Sequence, residues 1–146
     1  MQGKISIEFV YNLFQSYRIK SRSLSREIGI PQNAFDILMF LADNPDYNTA
    51  GDIASLRGLK ANLVSVNVDR LVQDGYLERK SFPGDRRKTV LVCTPKAQPL
   101  IQRGHQLQDA FLEDIFQNVD ETSRENFYRV EETMKENMSH IMKENT

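Results

Sequence analysis

The chain has 146 residues, enough to bury one core, with a formal net charge of -1, seven glycines, five prolines and a single cysteine. This composition excludes an intrachain disulfide framework, a cysteine-rich metal site and extensive disorder, and no apolar run approaches the ~20 residues of a membrane span. With no signal-peptide pattern at the N-terminus, and His105 and His140 far apart in the chain, the expectation is a cytoplasmic protein with no metal, no cofactor and no membrane contact.

Charge is unevenly spread along the chain. Residues 49–96 carry nine basic and five acidic groups, whereas residues 97–146 carry five and ten. A basic middle suits phosphate, and the acidic end faces something else.

From about Ile7 to Ile28, Val10, Leu13, Phe14, Tyr17, Leu24 and Ile28 fall at helical spacing, and Gly29 stops the helix. Pro31 suits the first turn of a second helix whose stripe is Phe35, Leu38, Met39 and Ala42. Thr49 with Asp52 three residues on forms a near capping box for a third helix, with Ile53, Ala54 and Leu56 on its buried side and Gly58 behind it. A fourth helix over about Ala61 to Asp74 places Val64, Val68, Leu71 and Val72 inward, which turns Asn62, Ser65, Asn67, Asp69 and Arg70 to its other sides. Two helices joined by about three residues describe a helix-turn-helix or any small helical hairpin.

After Gly75, a strand from Tyr76 to Lys80, loop residues Phe82-Pro83-Gly84-Asp85 and the run Thr89 to Val92 make a hairpin with Arg86, Arg87 and Lys88 near its tip. Thr94-Pro95 then caps and opens a long helix to about Asn118, in which Pro99 and Gly104 predict a bend. Asp120 caps a last helix striped by Phe127, Val130, Met134, Met138 and Ile141. The end helices and the first have more apolar face than a compact winged domain covers, so a partner chain is expected.

A hairpin of basic residues beside two crossing helices is a DNA reader's arrangement. Amide and hydroxyl side chains such as Asn62, Ser65 and Asn67 reach base edges, although a solvated helix face has the same composition. Lys60 and Arg70 flank that face. Three cations at one tip favour phosphate or narrow minor-groove contact over mere solubility, and Asp85 among them argues for geometry rather than bulk charge. Cys93 is read as a small buried hydrophobe rather than a redox sensor, and no catalytic constellation is present, so no enzyme is expected.

Leu71-Val72-Gln73-Asp74-Gly75-Tyr76-Leu77, the wing Asp85-Arg86-Arg87 and Val92-Cys93-Thr94-Pro95-Lys96 carry a further signal: over essentially its whole length the chain resembles the MarR family of winged helix-turn-helix transcriptional regulators. The resemblance implies a mainly α fold with a small β-hairpin wing (α+β), in one domain over residues 1–146. Residues 31–93 would be the winged lobe, and 1–28 and 95–144 the dimerisation helices. It implies a homodimer on a pseudo-palindromic operator in double-stranded DNA, acting as a repressor and answering to a small-molecule effector. It also implies Arg87 in the minor groove, oriented by the Asp85 carboxylate. The recognition helix departs from the family's habit: Leu63-Val64-Ser65-Val66 stands where an arginine commonly ends the segment, so its contact is missing or supplied by Arg70, Lys60 or Asn62. Two other readings compete, a protein-interaction adaptor that no longer touches DNA and a non-specific architectural DNA binder.

Overall fold

In the computed structural model, residues 4–145 are described; positions 1–3 and 146, which the expected domain span includes, lie outside the described residues. Six α-helices and one hairpin follow in the order α1 (Ile7–Ile28), α2 (Gln32–Asp43), α3 (Ala50–Arg57), α4 (Ala61–Gln73), β1 (Leu77–Phe82), β2 (Asp85–Cys93), α5 (Gln98–Ile115) and α6 (Glu121–Glu144). The fold is the expected one, mainly helical with a two-stranded antiparallel wing. The chain divides into two compact units within α5, one ending at Asp109 and one beginning at Ala110.

The first unit holds the core. Phe35 and Leu38 of α2, Ile53 of α3, Val64 and Leu71 of α4, and Leu77 at the foot of β1 are fully or almost fully buried, and Leu91, Leu100 and Ile101 join the same cluster. Each such side chain contributes roughly 1.5–3 kcal/mol relative to exposure, which is why these short helices hold together. Leu56 is a correction to the expected buried side of α3: it is half exposed, and the helix is anchored by Ile53 with Ala54 beside it.

Local chemistry sets the helix starts. The capping box of α3 is complete, with Thr49 Oγ1 accepting from the Asp52 N–H at 3.1 Å and Asp52 Oδ2 accepting from the Thr49 N–H at 3.2 Å, an arrangement worth about 1 kcal/mol. Thr94 is placed at the N-cap position of a 3₁₀ turn, Pro95–Ala97, yet its side chain does not cap that turn. Its Oγ1 instead donates to the Gly75 carbonyl at 2.5 Å and its N–H to the Tyr76 carbonyl at 3.0 Å. Lys96 completes the suture, donating to the Asp74 carbonyl at 2.5 Å and standing 4.9 Å from the Tyr76 ring centroid. The stretch from Thr94 to Lys96 thus ties the exit of the wing to the end of α4.

Because the 3₁₀ turn precedes it, α5 proper starts at Gln98, so Pro99 falls in its first turn, where a missing N–H leaves no bond unmade. Gly104 has a packing reason: a Cβ there would stand 2.3 Å from Met39 Sδ and 3.2 Å from Phe35 Cζ. The residue lets α5 press against α2. Before α3, the Asn48 carbonyl accepts the Leu91 N–H at 2.7 Å, joining the approach to the helix-turn-helix to the inner strand of the wing.

The second unit is helical. Asp120 caps α6, accepting from the Ser123 N–H at 2.9 Å, and Arg124 bonds Glu113 at 2.6 Å and lies over the Phe116 ring. Within α6 no residue is buried, and Phe127, Val130, Met134, Met138 and Ile141 are all exposed.

Candidate nucleic-acid interface

The wing is built around a displacement in the strand register. Pairing runs in step from Leu77 opposite Cys93 to Ser81 opposite Thr89, and then jumps to Phe82 opposite Asp85. Arg86, Arg87 and Lys88 are therefore left without Cα partners on β1, as a bulge in the outer part of β2. Pro83-Gly84 closes the tip, with Gly84 at φ 87°, the residue pair a type II turn favours. Register thus concentrates three exposed cations on one short arc.

Two contacts shape that arc. Asp85 Oδ1 accepts the backbone N–H of Arg87 at 2.9 Å, an Asx-type bond that fixes the path of the bulge. Among the described residues the Asp85 carboxylate makes no ion pair with the Arg87 guanidinium, so the carboxylate holds the arginine's backbone while its side chain stays exposed. Lys88 Nζ sits 4.5 Å from the Phe82 ring centroid, which fixes it across the tip.

On α4 the buried positions are Val64, Asn67, Val68 and Leu71. Asn62, Val66, Asp69 and Gln73, spaced at four, three and four, lie opposite them, with Ser65 and Leu63 on the flanks. Asn62 is exposed, and its Oδ1 accepts the Leu63 N–H at 2.9 Å. Ser65 is exposed, as is Lys60, which precedes the helix and caps it with no side-chain bond.

Two expected residues stand elsewhere. Asn67 is on the inner side, 5 % exposed, and its Nδ2 donates to the Leu63 carbonyl at 2.8 Å; its amide is satisfied within its own helix and does not share the outer face. Arg70 is tethered, its Nε bonding Asp74 at 2.8 Å and a terminal nitrogen bonding the Gly29 carbonyl at 3.2 Å. It joins α4 to the end of α1. The register bulge and the Arg79–Asp69 ion pair, which fastens β1 to α4, escaped the linear pattern because one depends on how the strands pair and the other on how the hairpin packs against the helix.

Burial pushes the thiol of half-buried Cys93 up from its ordinary value, consistent with a quiet side chain at the end of β2. No cluster of three or more metal-ligating side chains occurs among the described residues, and none of their helices is long and apolar enough to cross a membrane.

Residues 28–88, which contain α2 to α4 and most of the wing, match the MarR family model. The whole described fold superposes on the crystal structure of MarR with a TM-score of 0.81 at 16 % identity, covering 99 % of this chain and 98 % of that one. The likeness to the MarR family of winged helix-turn-helix transcriptional regulators is thus one of sequence over residues 28–88 and one of fold beyond them. The transcriptional regulator Tm0710 from Thermotoga maritima is 26 % identical to this chain, with a TM-score of 0.62 over 91 % of it and 93 % of Tm0710. The HTH-type transcriptional regulator YcgE of Bacillus subtilis is 36 % identical over 63 residues. That match takes in 43 % of this chain and 37 % of YcgE, so the alignment spans little more than a third of that relative's length.

Proposed function

We propose that this protein is a MarR-type transcriptional regulator, a cytoplasmic repressor that binds a pseudo-palindromic operator in double-stranded DNA as a homodimer and is released by a small molecule. The observation that carries the reading is the register bulge, which presents Arg86, Arg87 and Lys88 beside a helix-turn-helix whose outer face, from Asn62 through Ser65 to Asp69, is open. A helix of this kind fits the major groove, and a cationic tip beside it fits the neighbouring backbone or narrow minor groove.

Two further features support the rest of the proposal. The exposed apolar residues of α6, and Ile7, Phe9, Phe14 and Ile19 of α1, need a cover that a second copy supplies. A cavity of about 370 Å³, lined by Leu41, Asn48, Leu91, Cys93, Ile101 and His105 among others, has the mixed lining of a small-molecule site and adjoins both the approach to α3 and the wing. A ligand there would bias the lobe between two settings only as far as it binds them unequally.

Selection of bound fragments from random duplexes, followed by a salt titration, tests this. Enrichment of one inverted repeat is expected, and Arg87→Ala should weaken its binding by about tenfold and lower the salt slope by about 1 per wing, with the dimer intact by sedimentation. Sequence-indifferent binding would point to the architectural reading, and no binding at low salt to the adaptor.

A further inference from the structure

The outer face of α4 is unusual for a surface assigned to polar recognition. Val66 is 66 % exposed and stands at its centre, and Leu63 is 36 % exposed on its flank. From Ala61 to Asp69 the helix has no lysine or arginine. The first cation after that, Arg70, is held by Asp74 and the Gly29 carbonyl, and Asp69 is engaged by Arg79. The forked donor that reads guanine O6 and N7 is therefore absent from this face. Besides the Ser65 hydroxyl, what the face offers is a branched apolar side chain, a leucine and the amides of Asn62 and Gln73. In the major groove the one apolar feature of a base edge is the C5-methyl of thymine, and an amide pairs with the N6 and N7 of adenine.

We infer that Val66 and Leu63 read thymine methyl groups, so the half-site core facing α4 is built of A·T pairs. The cations near the face, Lys60 before the helix and Arg86 to Lys88 on the bulge, are placed for phosphate and minor-groove contact, and the narrow minor groove of A·T tracts is where an inserted arginine is most strongly attracted. Both halves of the lobe thus select the same class of DNA. This inference rests on the operator-binding reading above.

The test uses the full chain and the duplex enriched by selection. Each thymine of a half-site is replaced singly by deoxyuridine, which removes the methyl group and leaves base pairing and the minor groove unchanged. At one or more central thymines, affinity should fall about fourfold, the worth of one buried methyl-sized group. Val66→Ala, a change at an exposed position that leaves the core intact, should bind the thymine duplex more weakly and erase the deoxyuridine penalty at its own contact. Specific binding in which no deoxyuridine matters, or an enriched core rich in G·C pairs, overturns the inference and leaves operator binding standing. Failure to bind any duplex at low salt overturns both, and would leave the exposed Val66 and Leu63 to a protein partner.

Discussion

Asp85 accepts the backbone N–H of Arg87 at 2.9 Å. The acid at the wing's tip therefore acts on the direction of the chain, and its charge is incidental to that task. Removing it by Asp85→Asn keeps an acceptor oxygen, whereas Asp85→Ala does not. Both variants gain the same unit of positive charge. Asp85→Asn should bind DNA at least as tightly as the parent, and Asp85→Ala about fivefold more weakly than Asp85→Asn, the cost of about one hydrogen bond. Fluorescence anisotropy on one duplex measures both; equal affinity would mean that the bond does not organise the wing.

Asn67 should report on stability and leave base preference alone, because its amide turns to the Leu63 carbonyl inside the fold. Asn67→Ala is expected to lower unfolding free energy by about 1–2 kcal/mol in chemical denaturation, from lost packing and a lost hydrogen bond, while the sequence enriched by selection stays the same. A changed selected sequence would place Asn67 at the groove after all.

Gly104→Ala sets two effects against each other. Alanine is favoured by about 1 kcal/mol in a helix interior, but its Cβ would meet Met39 Sδ at 2.3 Å and Phe35 Cζ at 3.2 Å. Met39 is only 4 % exposed and Phe35 fully buried, so the methionine has little room to withdraw. Overpacking of this kind costs about 1–3 kcal/mol, and a lower thermal midpoint is expected. A raised midpoint would show that Met39 repacks freely.

Asp36 on α2 has its carboxyl pushed above the ordinary range, first by burial, with Arg57 and Arg18 pulling the other way. The folded protein therefore holds that proton more tightly than the unfolded chain. The associated stability is present below the ordinary carboxylate pKa and is lost as pH rises through the raised folded value. Asp36→Asn should raise the thermal midpoint at neutral pH, with the difference narrowing as pH falls below the carboxylate range. A loss of stability at neutral pH would mean that attraction to Arg57 and Arg18 outweighs burial.

Periodicity exposed most of the fold in advance. Phe35, Leu38, Val64, Val68 and Leu71 lie in the core where their spacing puts them, and Thr49, Gly58 and Asp120 bound their helices as their chemistry requires. Asn67 was illegible because a polar side chain on the inner edge of a helix can be satisfied by the carbonyl four residues back, which a polar–apolar pattern does not encode. Pro99 has the sequence position of an interior proline because the 3₁₀ turn before α5 carries no distinct signature in the residues. The cationic tip was visible as composition, but its projection is a property of register, set by which β1 residue each β2 residue faces.

The bond between the Asn48 carbonyl and the Leu91 N–H, with the Thr94 and Lys96 suture on the other side, braces the hairpin at its base from two directions. In the proposed complex, α4 and the wing would then act as the jaws of one fixed gauge. A wing braced in this way would hold a constant offset from α4, so on the proposed operator the right bases at the wrong helical phase would engage one element and strain the other.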